Sequence, residues 1–195
     1  MARLMTLLLC LSLASACTLA DLEVNVVSER TALENQVLGT YNALNEDAML
    51  VASVRGVTPT GEIEVRPEQS PEQQQAVEAM QVLGFHQDDV QNLKTLGWVG
   101  ENRQGVLSAF PMQSGNVPDG LEEFAARFSQ EEFSFVLQEV NQARETIMRQ
   151  VIQTNESFTE QDLDRIREVF WRMHAEQALP GEKVQATDGT WEVSP

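Results

Sequence analysis

The spacing of apolar residues predicts helices along most of this chain, with alternation in only a few short stretches. Residues 22–27, Leu-Glu-Val-Asn-Val-Val, alternate and read as a short extended tether. Ser28 or Thr31 can cap the next element, and Thr31 with Glu34 has the spacing of a capping box. Leu33, Val37, Leu38, Tyr41 and Leu44 then recur at helical spacing, predicting a helix to about residue 44 in spite of Gly39. The apolar run 48–54 either continues that helix or turns into a strand. Residues 56–71 contain Gly56, Pro59, Gly61, Pro67 and Pro71, the composition of a linker with room for a short strand at 63–65.

The second half is more regular. Ser70 and Pro71 open a helix whose apolar face is Ala76, Val77, Met80, Val82 and Leu83, with Gly84 as its stop. Asp88 and Asp89 start another, with Val90, Leu93 and Leu96 inward and Gly97 at its end. Gly-Trp-Val-Gly-Glu-Asn-Arg-Gln-Gly-Val-Leu, 97–107, reads as a turn-rich connection between helices. Residues 111–120 form a loop, and Asp119 is placed to cap a short helix over 120–127. Ser129 and Glu132 make a capping box for the longest helix, about 130–154, with Phe133, Val136, Leu137, Val140, Ala143 or Arg144, Ile147, Met148 and Val151 on one stripe and Asn155 at its end. Thr159 caps the last helix, with Leu163, Ile166, Val169, Phe170 and Met173 inward, and Pro180-Gly181 stops it. Two strand-like runs then flank Asp188-Gly189, a type I′ hairpin signal, with Val184, Trp191 and Val193 expected to pack on the helices. The predicted fold is mainly α, a helical domain with a short C-terminal β-hairpin.

The N-terminus carries a different pattern. Arg3 is followed by an apolar run over residues 4–13, the length of a signal-peptide core and too short to span a bilayer. Ala14-Ser15-Ala16 permits a cut before Cys17, and Thr18-Leu19-Ala20 permits one before Asp21. The first resembles a bacterial lipobox, with Cys17 as the lipidation site; the second leaves a soluble periplasmic protein. An acylated Cys17 would hold the chain on the membrane, since each buried CH₂ contributes about 0.8 kcal/mol. Thr18 is not an acidic retention residue, which favours the outer membrane, on its periplasmic side. The expected organisation is a signal peptide at 1–16, a tether, helix and linker at 17–70, and a helical domain with its hairpin at 71–195.

Charge and chemistry narrow the function classes. Thirteen Lys and Arg face thirty Asp and Glu, a net charge of −17. Phosphate neutralisation dominates nucleic-acid affinity, so nucleic acid is not an expected partner. The two cysteines, Cys10 and Cys17, lie in the leader, and the body has no thiol for a disulfide, a metal site or a nucleophile. His86 and His174 are the only histidines and have no metal-ligand spacing. No nucleophile elbow or phosphate-binding loop exists, so neither metal nor cofactor is expected. Glu101, beside Gly100, has two readings. It is either a general acid, which requires a second carboxylate about 5–10 Å away, or a structural group that caps a helix or pairs with Arg144, the preferred reading. Trp171 and Trp191 are expected in the core, and Trp98, in the turn-rich segment, at an interface.

Three blocks resemble the YdbL-like family of small bacterial envelope proteins, a domain of unknown function. Gly97-Trp98-Val99-Gly100-Glu101, running to Gly105, is similar to its glycine-rich block. Residues 140–151, with Asn141 and Arg144, resemble its central helix. Residues 179–193, with Gly181, Gly189 and Trp191, resemble its closing turn and tryptophan hairpin. The resemblance covers about 85–193 and implies an exported, non-catalytic interaction or accessory protein. Its best-understood relatives imply a place beside an AsmA-type lipid-transfer bridge, with an envelope protein as partner. An envelope hydrolase using Glu101 and a purely structural tether are the alternatives.

Overall fold

The computed structural model describes residues 20–52, 70–113, 115 and 117–195, with side chains described from residue 32 onward, residue 52 excepted. Cys17 with the rest of the leader, and the expected strand at 63–65, lie outside the described residues. Contacts divide the chain into two units, Met1–Leu38 and Gly39–Pro195. The second holds the sheet and the buried core cluster. Among the described residues no helix is long and apolar enough to cross a membrane.

The protein is mainly α, with six α-helices and a small four-stranded sheet among the described residues. Helix α1 is Ala20–Ala52. Residues 22–27 are therefore helical rather than an extended tether, and Thr31 lies inside the helix instead of capping it. The stretch has no proline and Gly39 as its one glycine, so no strong breaker interrupts propagation. The run from residue 48 continues the same helix as far as Ala52, and residues 53 and 54 lie outside the described residues.

Helix α2, Pro71–Phe85, begins as expected: Ser70 accepts a hydrogen bond from the Gln73 amide at 3.2 Å, and Pro71 takes the first position. It runs through Gly84, whose cost of about 1 kcal/mol does not end a helix by itself. His86 separates it from α3, Gln87–Thr95, which closes at Gly97. Helix α4 is Glu122–Arg127. Asp119 does not cap it; the Gly120 amide instead donates to Glu122 Oε2 at 2.8 Å. Helix α5, Gln130–Thr154, has both halves of its capping box, Glu132 N to Ser129 Oγ at 3.1 Å and Ser129 N to Glu132 Oε2 at 2.8 Å. Asn155 ends it. Thr159 leads into a short 3₁₀ turn, Glu160–Asp162, and only then into α6, Leu163–Glu176.

The turn-rich reading of 97–107 is corrected. This segment holds strand β1, Val99–Glu101, and the start of β2, Leu107–Ala109, which pair antiparallel. The C-terminal hairpin, β3 Lys183–Gln185 and β4 Trp191–Val193, does not stand alone: β3 pairs parallel with β1, giving the order β2-β1-β3-β4. Its turn is not type I′, because Asp188 does not take a positive φ. Gly189 does, at 88°, and its amide donates to Ala186 O at 3.0 Å. Asp188 Oδ1 accepts from Thr190 N and Oγ1, which fixes this longer loop. Val193 is exposed rather than packed on the helices. Helices α3, α5 and α6 contact the sheet, and Leu93, Val99, Leu107, Phe124, Phe133, Val136 and Val140 form the core between them.

Candidate functional site

The three residues of β1 are all buried, and the last of them is charged. Glu101 is 1% exposed and Arg144, from α5, is 5% exposed. They meet in a two-point pair, Nη1 to Oε2 at 2.6 Å and Nη2 to Oε1 at 3.2 Å. Nη1 also reaches Gly105 O at 3.4 Å, so one guanidinium joins the helix to both ends of the β1–β2 connection. Lys94, from α3, places Nζ 3.3 Å from Glu101 and 3.0 Å from Glu182, just before β3. Glu182 also accepts from Gln91 Nε2 at 2.6 Å and from the Leu179 amide at 3.1 Å. Two buried cations and two buried carboxylates thus close on each other, drawn from four different parts of the chain.

Burial would push the Glu101 carboxyl up. The charge and hydrogen bonds of Arg144, with help from His174 and Lys94, more than reverse this and hold it at about 2. His174, on α6, is driven the other way. Burial, and then the neighbouring Arg144 charge, lower its imidazole to about 3, with Glu101 opposing. Its Nε2 is buried and has no hydrogen-bond partner in the structure. A cleft of about 340 Å³ opens over this network, lined by Tyr41, Asn45, Met80, Val90, Gln91 and His174 among others. Burial also raises the Tyr41 phenol. A larger opening, about 710 Å³, lies by Thr40, Asp47, Gln73 and Gln153 and contains none of the buried charges.

Glu101 at neutral pH is an anion with its acceptors occupied. A general acid needs a proton to give and a pKa near the working pH, and this group has neither. Among the described residues no group of three or more His, Cys, Asp or Glu side chains could hold a metal.

The other residues singled out by sequence form the frame around the pair. Asn141 bonds both backbone groups of Leu107, accepting from N at 2.8 Å and donating to O at 2.9 Å, which pins β2 to α5. A Cβ at Gly100 would stand 2.7 Å from the Trp191 ring and 2.9 Å from Lys183 O, so the strand contact requires glycine. Gly105, at φ 73°, lies against α6, where a Cβ would meet Phe170 Cβ at 2.9 Å and Arg167 O at 3.0 Å. Gly97 ends α3, Gly181 N donates to Ser194 O, and Gly189 sits in the hairpin turn. Trp191 packs on Phe110, ring centroids 4.9 Å apart. Trp98 is not an interface residue: it is 2% exposed, and its indole donates to Gln113 O at 3.3 Å. It follows Gly97 directly into β1, which turns its ring into the core.

Sequence reasoning found Glu101 and Arg144 but not Lys94, Glu182 or the cleft. One signal was available, since Lys94 is the only Lys or Arg between residues 67 and 102. Glu182 had none, because its place depends on the parallel β1–β3 pairing. Comparison with protein-family models, with curated proteins and with solved structures finds no match.

Proposed function

We propose that this chain is an exported, non-catalytic accessory module of the bacterial envelope, anchored through lipid on Cys17 and acting by binding another envelope protein. What supports the non-catalytic half is the state of Glu101: ionised, enclosed and committed to Arg144 and Lys94. The hydrolase reading required this carboxyl to carry a proton. What supports the envelope half is the leader, with its lipobox-like Ala14-Ser15-Ala16-Cys17, and the three YdbL-like blocks. The proposed partner class is a lipid-transfer bridge of the AsmA type.

Two measurements test the reading. Cys17→Ala should move the protein from the membrane fraction to the soluble periplasmic fraction. A wild-type protein that is already soluble removes the anchor. The tagged protein, purified from gently solubilised envelopes, should bring down a large bridge-type protein in stoichiometric amount. Its absence removes the partner.

A further inference from the structure

The apolar stripe of α5 runs through Phe133, Val136 and Val140, and Phe135 lies off it. Phe135 is 58% exposed, and Phe85, at the end of α2, is 81% exposed. The buried ring of His86 joins them, its centroid 4.9 Å from that of Phe85 and 6.4 Å from that of Phe135, both near perpendicular. His86 itself sits at the junction of α2 and α3, with Nδ1 3.5 Å from Asp89. The two exposed rings are therefore mounted on a fixed base rather than carried on a loop.

The charge around them is predominantly negative, with Arg127 acting on Glu132 at its edge. Residues 71–93 contain Glu72, Glu78, Asp88 and Asp89 and no Lys or Arg. Residues 128–143 contain Glu131, Glu132 and Glu139 and again none. Glu72 and Glu78 are on α2, Asp88 and Asp89 on α3 and the other three on α5, and α2 packs against both α5 and α3. Rigid aromatics held in water inside a predominantly negative field are the two halves of a protein-binding surface: an apolar anchor and a means of selecting the partner. An anionic lipid surface or a nucleic acid is repelled here, and a second copy would bring the same negative field against its own.

We propose that Phe85 and Phe135, with the acidic side chains around them, form a docking surface for a cationic amphipathic segment of a partner protein. This rests on the reading of the chain as an interaction module. The partner segment inserts apolar side chains against the two rings and sets Lys or Arg beside Asp88, Asp89 and Glu131.

The test is a titration of the full chain, in a fixed non-ionic detergent, with a fluorescent Leu/Lys amphipathic helix. A Lys-only peptide and a Leu/Glu helix serve as comparisons. The Leu/Lys helix should bind at least about tenfold more tightly than either, and more weakly as salt rises. Phe85→Ser with Phe135→Ser should reduce its affinity by about tenfold or more without changing Tm, since both rings are exposed. Asp88→Asn with Glu131→Gln should flatten the salt dependence. Unchanged affinity in the double serine variant overturns the proposal, as does equal binding of the Leu/Glu helix. A double variant that turns a wild-type dimer into a monomer assigns the surface to self-association instead. Loss of binding to zwitterionic vesicles in that variant assigns it to the membrane. The titration contains neither membrane fraction nor bridge protein, so failure of the anchor or of the bridge partner leaves its result standing, and the reverse.

Discussion

This molecule puts charge where most domains put hydrocarbon, and aromatic rings where most put charge. Under the cleft, Glu101, Arg144, Lys94 and Glu182 lie out of water, each with a partner of opposite sign. At the surface, Phe85 at the end of α2 and Phe135 on α5 face water. The two regions differ in what they lack. The interior network has its charges matched, so it holds elements together and offers little to a newcomer. The surface pair has unmet apolar area and a predominantly acidic neighbourhood. Satisfied polar groups inside specify a fold, and unsatisfied apolar groups outside specify a contact. Glu101, buried and ion-paired, is therefore placed to hold β1 to its neighbours.

If that contrast is right, variants should separate by region. Arg144→Met leaves Glu101 buried with only Lys94 as counter-charge and without its two-point hydrogen bond, and should cost about 3–5 kcal/mol in urea unfolding. Adding Glu101→Leu should recover much of the loss, which a role for Arg144 outside the pair would not predict. Gly105→Ala forces a side chain into α6 at a positive φ and should cost about 2–3 kcal/mol, read as a fall in Tm. Asn141→Ala strips both hydrogen bonds from the Leu107 backbone and should cost about 1–3 kcal/mol by the same measurement.

Acid should act on the same interior. The unfolded His174 imidazole takes a proton near 6.5 and the folded one not until about 3, so stability is lost as pH falls through that window. Glu101 adds a second loss as pH falls from 4.5 toward 2, because its folded carboxyl resists protonation. His174→Gln should flatten the stability profile from about pH 6.5 down to about 3, leaving only the Glu101 loss below 4.5. An unchanged upper limb would mean that the imidazole is not held neutral. The smallest effect belongs to the surface: Phe85→Ser and Phe135→Ser should each shift stability by no more than about 0.5 kcal/mol. A large loss there would make the rings part of the core and erase the contrast.

Much of this was legible from local pattern. The capping box at Ser129 and Glu132, the stop at Asn155 and the entry at Ser70-Pro71 were readable because each is made of neighbours in sequence. The Glu101–Arg144 pair was legible as a hypothesis from two charged residues in apolar company. The errors have a shared cause. Three-residue strands such as Val99–Glu101 are shorter than any periodicity can register, and their glycines mimic a turn until Trp191 and Lys183 are seen to need the space. The alternation at 22–27 failed the opposite way, where a short period-two pattern was overridden by an uninterrupted helix. Trp98 was misplaced because the hairpin that buries it was missed. Phe135 was legible in principle, as an aromatic off the stripe of an otherwise regular helix.

The parallel pairing of β1 with β3 also sets an order in time. Gly100 aligns with Lys183, and Lys94 waits for Glu182, partners that follow far later in the chain. Until they arrive, β1 lacks its neighbour on one edge and Lys94 lacks half its counter-charge. Long-range closure of this kind slows folding. The β1–β2 pair can form from neighbours in sequence, but the sheet and its buried charges close only when the segment carrying Glu182 and Lys183 returns to them.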